Sequence, residues 1–234
     1  MLKPEKLNAL SHKLGHTFRD STPLMTALTH RSFIHERPSH VYPTNERMEF
    51  LGDAILALVV AEELFTRHAE LPEGQLSKLR SYAVNEDTLA TIARHLNLAT
   101  FMFLGRGEEK QEKDTILADG LEAVIAAIYQ DAGLPAVKQA WARWQKEMNV
   151  DLLDPRNLED FDAKSKLQEY CMKSWQELPS YEFQEARTPS SLAFQVTLNV
   201  HGRPLLSTQN TSKKKAELWL AKTCLQNHLH LTLG

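Results

Sequence analysis

The stretch TNERMEFLGDAILALVVAEELF, Thr44 to Phe65, sets Glu46, Glu49 and Asp53 into a run that is otherwise mostly apolar. The apolar residues recur at helical spacing, so the pattern predicts a buried helix. At about 100° per residue the three acids fall within an arc of about 60°, which stacks their carboxylates on one stripe. Like charges so placed cost roughly a few tenths of a kcal/mol on an exposed helix, and far more where water is excluded. Asn45 stands where an N-cap belongs, and Glu46 alone would then merely favour the positive helix end. That account does not reach Glu49 and Asp53, which lie a turn or two inside.

The segment ILADGLEAVIAAIYQD, Ile116 to Asp131, repeats the anomaly with Asp119 and Glu122 one turn apart in a second apolar helix. Carboxylates converging without histidine or cysteine suit hard divalent cations. A site with open positions for water and phosphate oxygens suits Mg²⁺ or Mn²⁺. Such a site beside a nucleic-acid-binding module implies hydrolysis of phosphodiesters.

A chain of 234 residues has room for one good core and a smaller second one, and its 42% hydrophobic and 24% charged content is that of a folded soluble protein. The longest apolar runs, Ile55 to Ala61 and Ala123 to Tyr129, fall short of the roughly 20 residues a membrane span needs. The amino terminus lacks the compact apolar segment of a secretory signal, which predicts a cytoplasmic protein with no membrane association. Cys171 and Cys224 stand in separate helical patterns with no CxxC or Cys/His spacing, and read as reduced core thiols. The net charge of -3 hides a split: residues 161–234 hold 9 Lys+Arg against 6 Asp+Glu, net +3, leaving 18 against 24, net -6, for residues 1–160. The basic tail clusters Lys213, Lys214 and Lys215, as a phosphate-binding surface does.

From Leu7 to about Val150 the pattern is helical, broken at Pro38, Pro43, Pro72, Gly105 to Gly107 and Gly133 to Pro135. This predicts an all-α domain over residues 1–150. Residues 151–160, acidic and weakly periodic around Pro155, read as a linker. Residues 161–231 change character, with a helix over Lys164 to Trp175, strands over Tyr181 to Glu185, Ala193 to Val200 and Leu205 to Gln209, and a final helix from a Ser212 cap to about His230. The fold class is therefore an all-α domain followed by a small α+β domain of order α-β-β-β-α.

The stretch NERMEFLGDAIL resembles the signature of the bacterial ribonuclease III family, with support from ALTHRSF (Ala27 to Phe33), PEGQLSKLR (Pro72 to Arg80) and ILADGLEAVIAAIY. The tail is similar to a double-stranded-RNA-binding domain through DAKSKLQEYC (Asp162 to Cys171) and SKKKAE (Ser212 to Glu217). The resemblance covers essentially the whole chain in order. It implies a homodimeric endoribonuclease that cuts double-stranded RNA with Mg²⁺, Mn²⁺ able to substitute, and no small-molecule cofactor. It further implies 5′-phosphate and 3′-hydroxyl products and a place in processing ribosomal RNA precursors and other structured transcripts. By motif position Glu49, Asp53, Asp119 and Glu122 match the metal-holding acids, with Asp53 and Glu122 catalytic, and Glu46 and Glu73 match further acids lining the cleft. Phe50 matches a residue packed into a socket on the partner subunit, against which stands plain core packing. Ser165 and Gln168 match polar positions of the first helix of the RNA-binding module, and Lys213 and Lys214 its phosphate-binding helix start. His30 reads as structural, and Gly52 as a close-packing position.

Two departures stand out. The loop RTPSSLAF (Arg187 to Phe194) lacks the histidine usual in the family, and LLSTQNTS (Leu205 to Ser212) lacks the glycines that often precede the lysines. Both predict weaker RNA contact. A non-catalytic RNA-binding protein on the same fold is the competing reading, although it has no use for four acids in apolar helices. A phosphohydrolase of small substrates is disfavoured by the tail.

Overall fold

The computed structural model describes residues 2–108, 113–187 and 192–227. The chain divides into two compact units, Met1–Asp154 and Pro155–Gly234.

The first unit is helical: α1 (Pro4–Leu14), α2 (Thr22–Ala27), α3 (Arg31–Glu36), α4 (Glu46–Arg67), α5 (Glu73–Ala83), α6 (Glu86–His95) and α7 (Asp114–Met148). Local chemistry sets the ends. Pro4 opens α1, and Gly15, at φ 73°, closes it, its amide donating to the His12 carbonyl while the His16 amide donates to that of Ser11. The Asn85 side chain caps α6 through the Thr88 amide. As expected from Gly133 and Pro135, α7 breaks at Gly133, whose φ of 75° is left-handed. Its second arm buries Trp141 and Trp144, and the Trp144 indole donates to the Leu14 carbonyl at 3.2 Å, which ties α1 to the body. Asp131 is buried at the end of the first arm, where it accepts from His16 (2.8 Å) and the Arg19 amide (3.1 Å).

The two long helices α4 and α7 pack along each other at the centre of this unit. Met48, Ile55, Leu56, Val59, Val60 and Leu64 form the inward face of α4. The expectation of a wholly buried helix holds on that face only, because Phe50, Leu58 and Phe65 are 81%, 53% and 76% exposed. Gly52 marks the closest approach. A Cβ on it would lie 1.8 Å from the Glu122 carbonyl oxygen, so only a hydrogen lets the helices meet there.

The second unit holds α8 (Asn157–Phe161), α9 (Ala163–Trp175), β1 (Ser180–Arg187), β2 (Leu192–Val200), β3 (Arg203–Asn210) and α10 (Lys213–Asn227). Its sheet is antiparallel in the order β1-β2-β3, with Phe183 opposite Val196 and Val196 opposite Thr208. The third strand starts earlier than the alternation suggested, at Arg203, because His201 and Gly202 both take positive φ and close a two-residue hairpin. Alternate residues Val196, Leu198 and Val200 of β2 meet Leu167 and Cys171 of α9 and Ala216, Leu220 and Cys224 of α10 in one core. Both cysteines are free thiols inside it.

The stretch read as a linker, 151–160, is shared between the units. Leu152 and Leu153 are buried and Asp151 pairs with Arg67 in the first, while α8 opens the second. Residues 188–191 of the loop RTPSSLAF and residues 228–231 lie outside the described residues.

Gly52→Ala should destabilise the protein by about 3 kcal/mol or more, at or beyond the upper end of ordinary overpacking, because the clash is with backbone. Chemical denaturation of variant and wild type checks it, and equal midpoints would show that α4 and α7 have slack to separate.

Candidate active site and nucleic-acid interface

Glu49 and Asp53 stand in the first turns of α4, and Asp119 and Glu122 in those of α7. Because Gly52 lets the two backbones touch, acids from different helices meet. Carboxylate oxygens of Glu49, Asp119 and Glu122 lie within 4.8 Å of one another, and all three residues are half-buried. Asp53 is exposed and lies outside that trio, yet its charge bears on Glu122 more than that of any other acid.

Burial, then the charges of Asp53, Asp119 and Glu49, push the Glu122 carboxyl up to about 8. Burial and Asp119 raise Glu49, and burial and Glu86 raise Asp119, in each case against partial relief from Arg31. A divalent cation fits this set of donors, which are all oxygens, converge on one point and repel one another until a positive charge joins them.

Beside the trio opens a cleft of about 470 Å³, whose lining includes His30, Arg31, Asn45, Glu46, Glu49 and Asp119. Glu46 is exposed on its wall, accepts from the Thr44 hydroxyl at 2.9 Å and lies 3.8 Å from Arg31. The expected Asn45 cap is absent: the residue stands at the N-cap position, but its side chain makes no capping bond. His30 has a structural bond, its Nδ1 accepting from the Ser32 amide to cap α3. Glu73 does not join the acids of its own chain. It is exposed at the start of α5, beside Leu64 and Phe65, about 22 Å further along α4 than Phe50. Arg31 and Glu86 were not singled out from the sequence, although Arg31 lies within the quoted ALTHRSF.

In the second unit Ser165 and Gln168 are exposed on α9, and Lys213 and Lys214 are exposed at the start of α10. Ser212 caps that helix, its hydroxyl accepting from the Lys215 amide at 3.4 Å. An ion pair of Lys164 with Glu217 ties the start of α9 to α10. The Lys213 ammonium lies over two rings, 5.1 Å from the Phe183 centre and 4.8 Å from that of Phe194.

A helical body in which acids converge, joined to an α-β-β-β-α module with cations at a helix start, defines the class of double-stranded-RNA endoribonucleases. Known proteins agree. The Ribonuclease-III-like family model matches residues 20–147, and the Double-stranded RNA binding motif matches residues 163–228. The chain is 37% identical to Ribonuclease 3 of Pseudothermotoga lettingae, with 92% of each covered. It is 40% identical to Ribonuclease 3 of Campylobacter jejuni subsp. jejuni serotype O:6, over 95% of this chain and 97% of that one. A solved nuclease domain of ribonuclease III from Campylobacter jejuni, described for flexibility in a region involved in dimer formation, superposes with a TM-score of 0.56. It is 43% identical and covers 62% of this chain and 99% of its own. The chain belongs to the ribonuclease III family.

The raised Glu122 carboxyl has a consequence for stability. The folded, metal-free protein holds this proton until pH nears 8, whereas the unfolded chain releases it near 4.5. The fold therefore loses stability as pH rises through that interval and carries no such penalty below it. In EDTA, Glu122→Gln should melt above wild type at pH 8, with the difference vanishing at pH 4.5. Thermal melts across the interval check this.

Proposed function

We propose that the protein is a Mg²⁺-dependent endoribonuclease that hydrolyses double-stranded RNA to 5′-phosphate and 3′-hydroxyl ends, acting on ribosomal RNA precursors and other structured transcripts in the cytoplasm. The observation that carries the proposal is the convergence of Glu49, Asp119 and Glu122 on one another, with the charge of Asp53 bearing on Glu122, beside a cleft that Glu49 and Asp119 line in a chain of this family. These four acids hold the ion, and Mn²⁺ suits the same oxygens. When bound, the divalent ion supplies an activated water and neutralises charge on the phosphate. The chain supplies the rest. Glu122, whose carboxyl burial and the neighbouring acids push up to about 8, holds a proton at neutral pH in the metal-free site, and a bound cation would favour its release. The clefts and the lysines divide the labour between residues 1–150, which cut, and residues 161–231, which bind, with 151–160 joining them. In the second part Lys213 and Lys214 meet phosphates across a groove, while Ser165 and Gln168 address 2′-hydroxyls.

The working form in this reading is a homodimer. Phe50, Leu58 and Phe65 recur at two-turn spacing along one side of α4 with their large apolar side chains exposed, unlike a surface meant for water. Pairing two α4 helices antiparallel about Leu58 sets Phe50 against the partner subunit's Phe65. The same pairing brings the partner subunit's Glu73 toward the acid-bearing end of α4, which gives Glu73 its place in the cleft together with Glu46.

Glu122→Gln should bind duplex RNA as wild type does, and should cleave it several orders of magnitude more slowly at saturating Mg²⁺. Gel-shift and single-turnover assays on a long duplex decide it, and undiminished cleavage sinks the assignment. Phe50→Ala should weaken the dimer, since truncating a large aromatic in a packed socket costs about 3 to 5 kcal/mol. Sedimentation at low protein concentration measures the shift toward monomer.

A further inference from the structure

Asn45 is 2% exposed, and its side-chain Nδ2 is a buried donor without an acceptor. The defect belongs to the side chain alone. The Asn45 amide donates to the Thr29 carbonyl at 2.8 Å, and its own carbonyl accepts from Met48 (2.8 Å) and Glu49 (2.9 Å). An N-cap asparagine ordinarily uses its oxygen to cap the helix, and this one does not. A buried unpaired donor is destabilising, and a residue kept in that condition calls for a partner that the metal-free fold does not supply. Two further facts narrow the partner. Asn45 lines the same cleft as Glu49 and Asp119. It also precedes Glu49 by one helical turn, the spacing at which side chains on a helix are neighbours.

We propose that Asn45 is a positioning residue for Glu49, its amide donating to the Glu49 carboxylate when a divalent cation engages that group. The inference rests on the metal site proposed above. A carboxylate that gives one oxygen to a cation leaves the other in need of a donor, and the bond between the second oxygen and its neighbour fixes how the first is aimed. Asn45 has an unused side-chain N–H, one turn before Glu49 and in the lining of the same cleft. Met48 and Phe50, the residues flanking Glu49, carry no group able to do this.

The test uses the full-length chain, Mn²⁺ as the probe, and two variants: Asn45→Ala, and Asn45→Leu, which keeps the branching and the number of side-chain heavy atoms without the donor. Calorimetric titration should show Mn²⁺ affinity about tenfold weaker in both, while melting in EDTA stays at or above the wild-type temperature because an unpaired donor has gone. Wild-type Mn²⁺ affinity in the variants overturns the inference. So does a metal-free melting temperature lowered in both, which would mean that the amide already has a structural partner. If wild type itself takes up no Mn²⁺, the metal site fails and Asn45's role with it. Tight binding by wild type together with unchanged variants removes the role of Asn45 alone.

Discussion

The contact between the Gly52 backbone and the Glu122 carbonyl sets the distance between α4 and α7. A single methyl group there would need space that the Glu122 backbone already fills. Everything acidic in the site depends on that spacing, because Glu49 and Asp53 come from one helix, and Asp119 and Glu122 from the other. Were the helices to stand an ångström or two further apart, the carboxylates would relax toward water and lose the shared point on which a cation would sit. The aliphatic face of α4, from Met48 to Leu64, and the alanines and isoleucines of α7 supply the packing that holds the helices together against the repulsion of the acids.

The charge split follows the same division of labour. A body at net -6 is a poor attractor of a polyanion, and the module at net +3 corrects for it in the same polypeptide. The acids cannot be diluted without losing the site, so the positive charge is placed elsewhere, at the exposed start of α10.

Much of this was legible in the sequence. The one-turn spacings of Glu49 with Asp53 and of Asp119 with Glu122 fix which side of each helix the acids share, and the break at Gly133 and Pro135 follows from backbone chemistry. The strand alternation of the tail located β2 closely. The features that escaped are those that depend on neighbours distant in sequence. Whether a helix face is covered by its own chain cannot be read from the helix, so the exposure of Leu58 and Phe65 emerged only in the fold, and that of Phe50 followed from the resemblance alone. Asn45 has the residue type of a cap and the burial of a core group, and only the surroundings show which it serves. Glu73 stands in a separate motif, PEGQLSKLR, at the start of α5, beside the end of α4 far from the cleft acids of its own chain. The His201 and Gly202 turn was missed because histidine seldom signals positive φ. The acidic stretch around Pro155 hid Leu152 and Leu153, whose burial extends the first unit past the helical pattern.

The position of Lys213 over the rings of Phe183 and Phe194 carries a consequence of a different kind. A lysine on an open surface samples many rotamers and gives most of them up when it grips an anion. Here the two rings have already narrowed that freedom, so part of the ordering loss is incurred when the domain folds and not at each encounter with a ligand. In the role proposed for Lys213, a module with an atypical loop and no glycines in the stretch LLSTQNTS offsets missing contacts with reduced motion in this one.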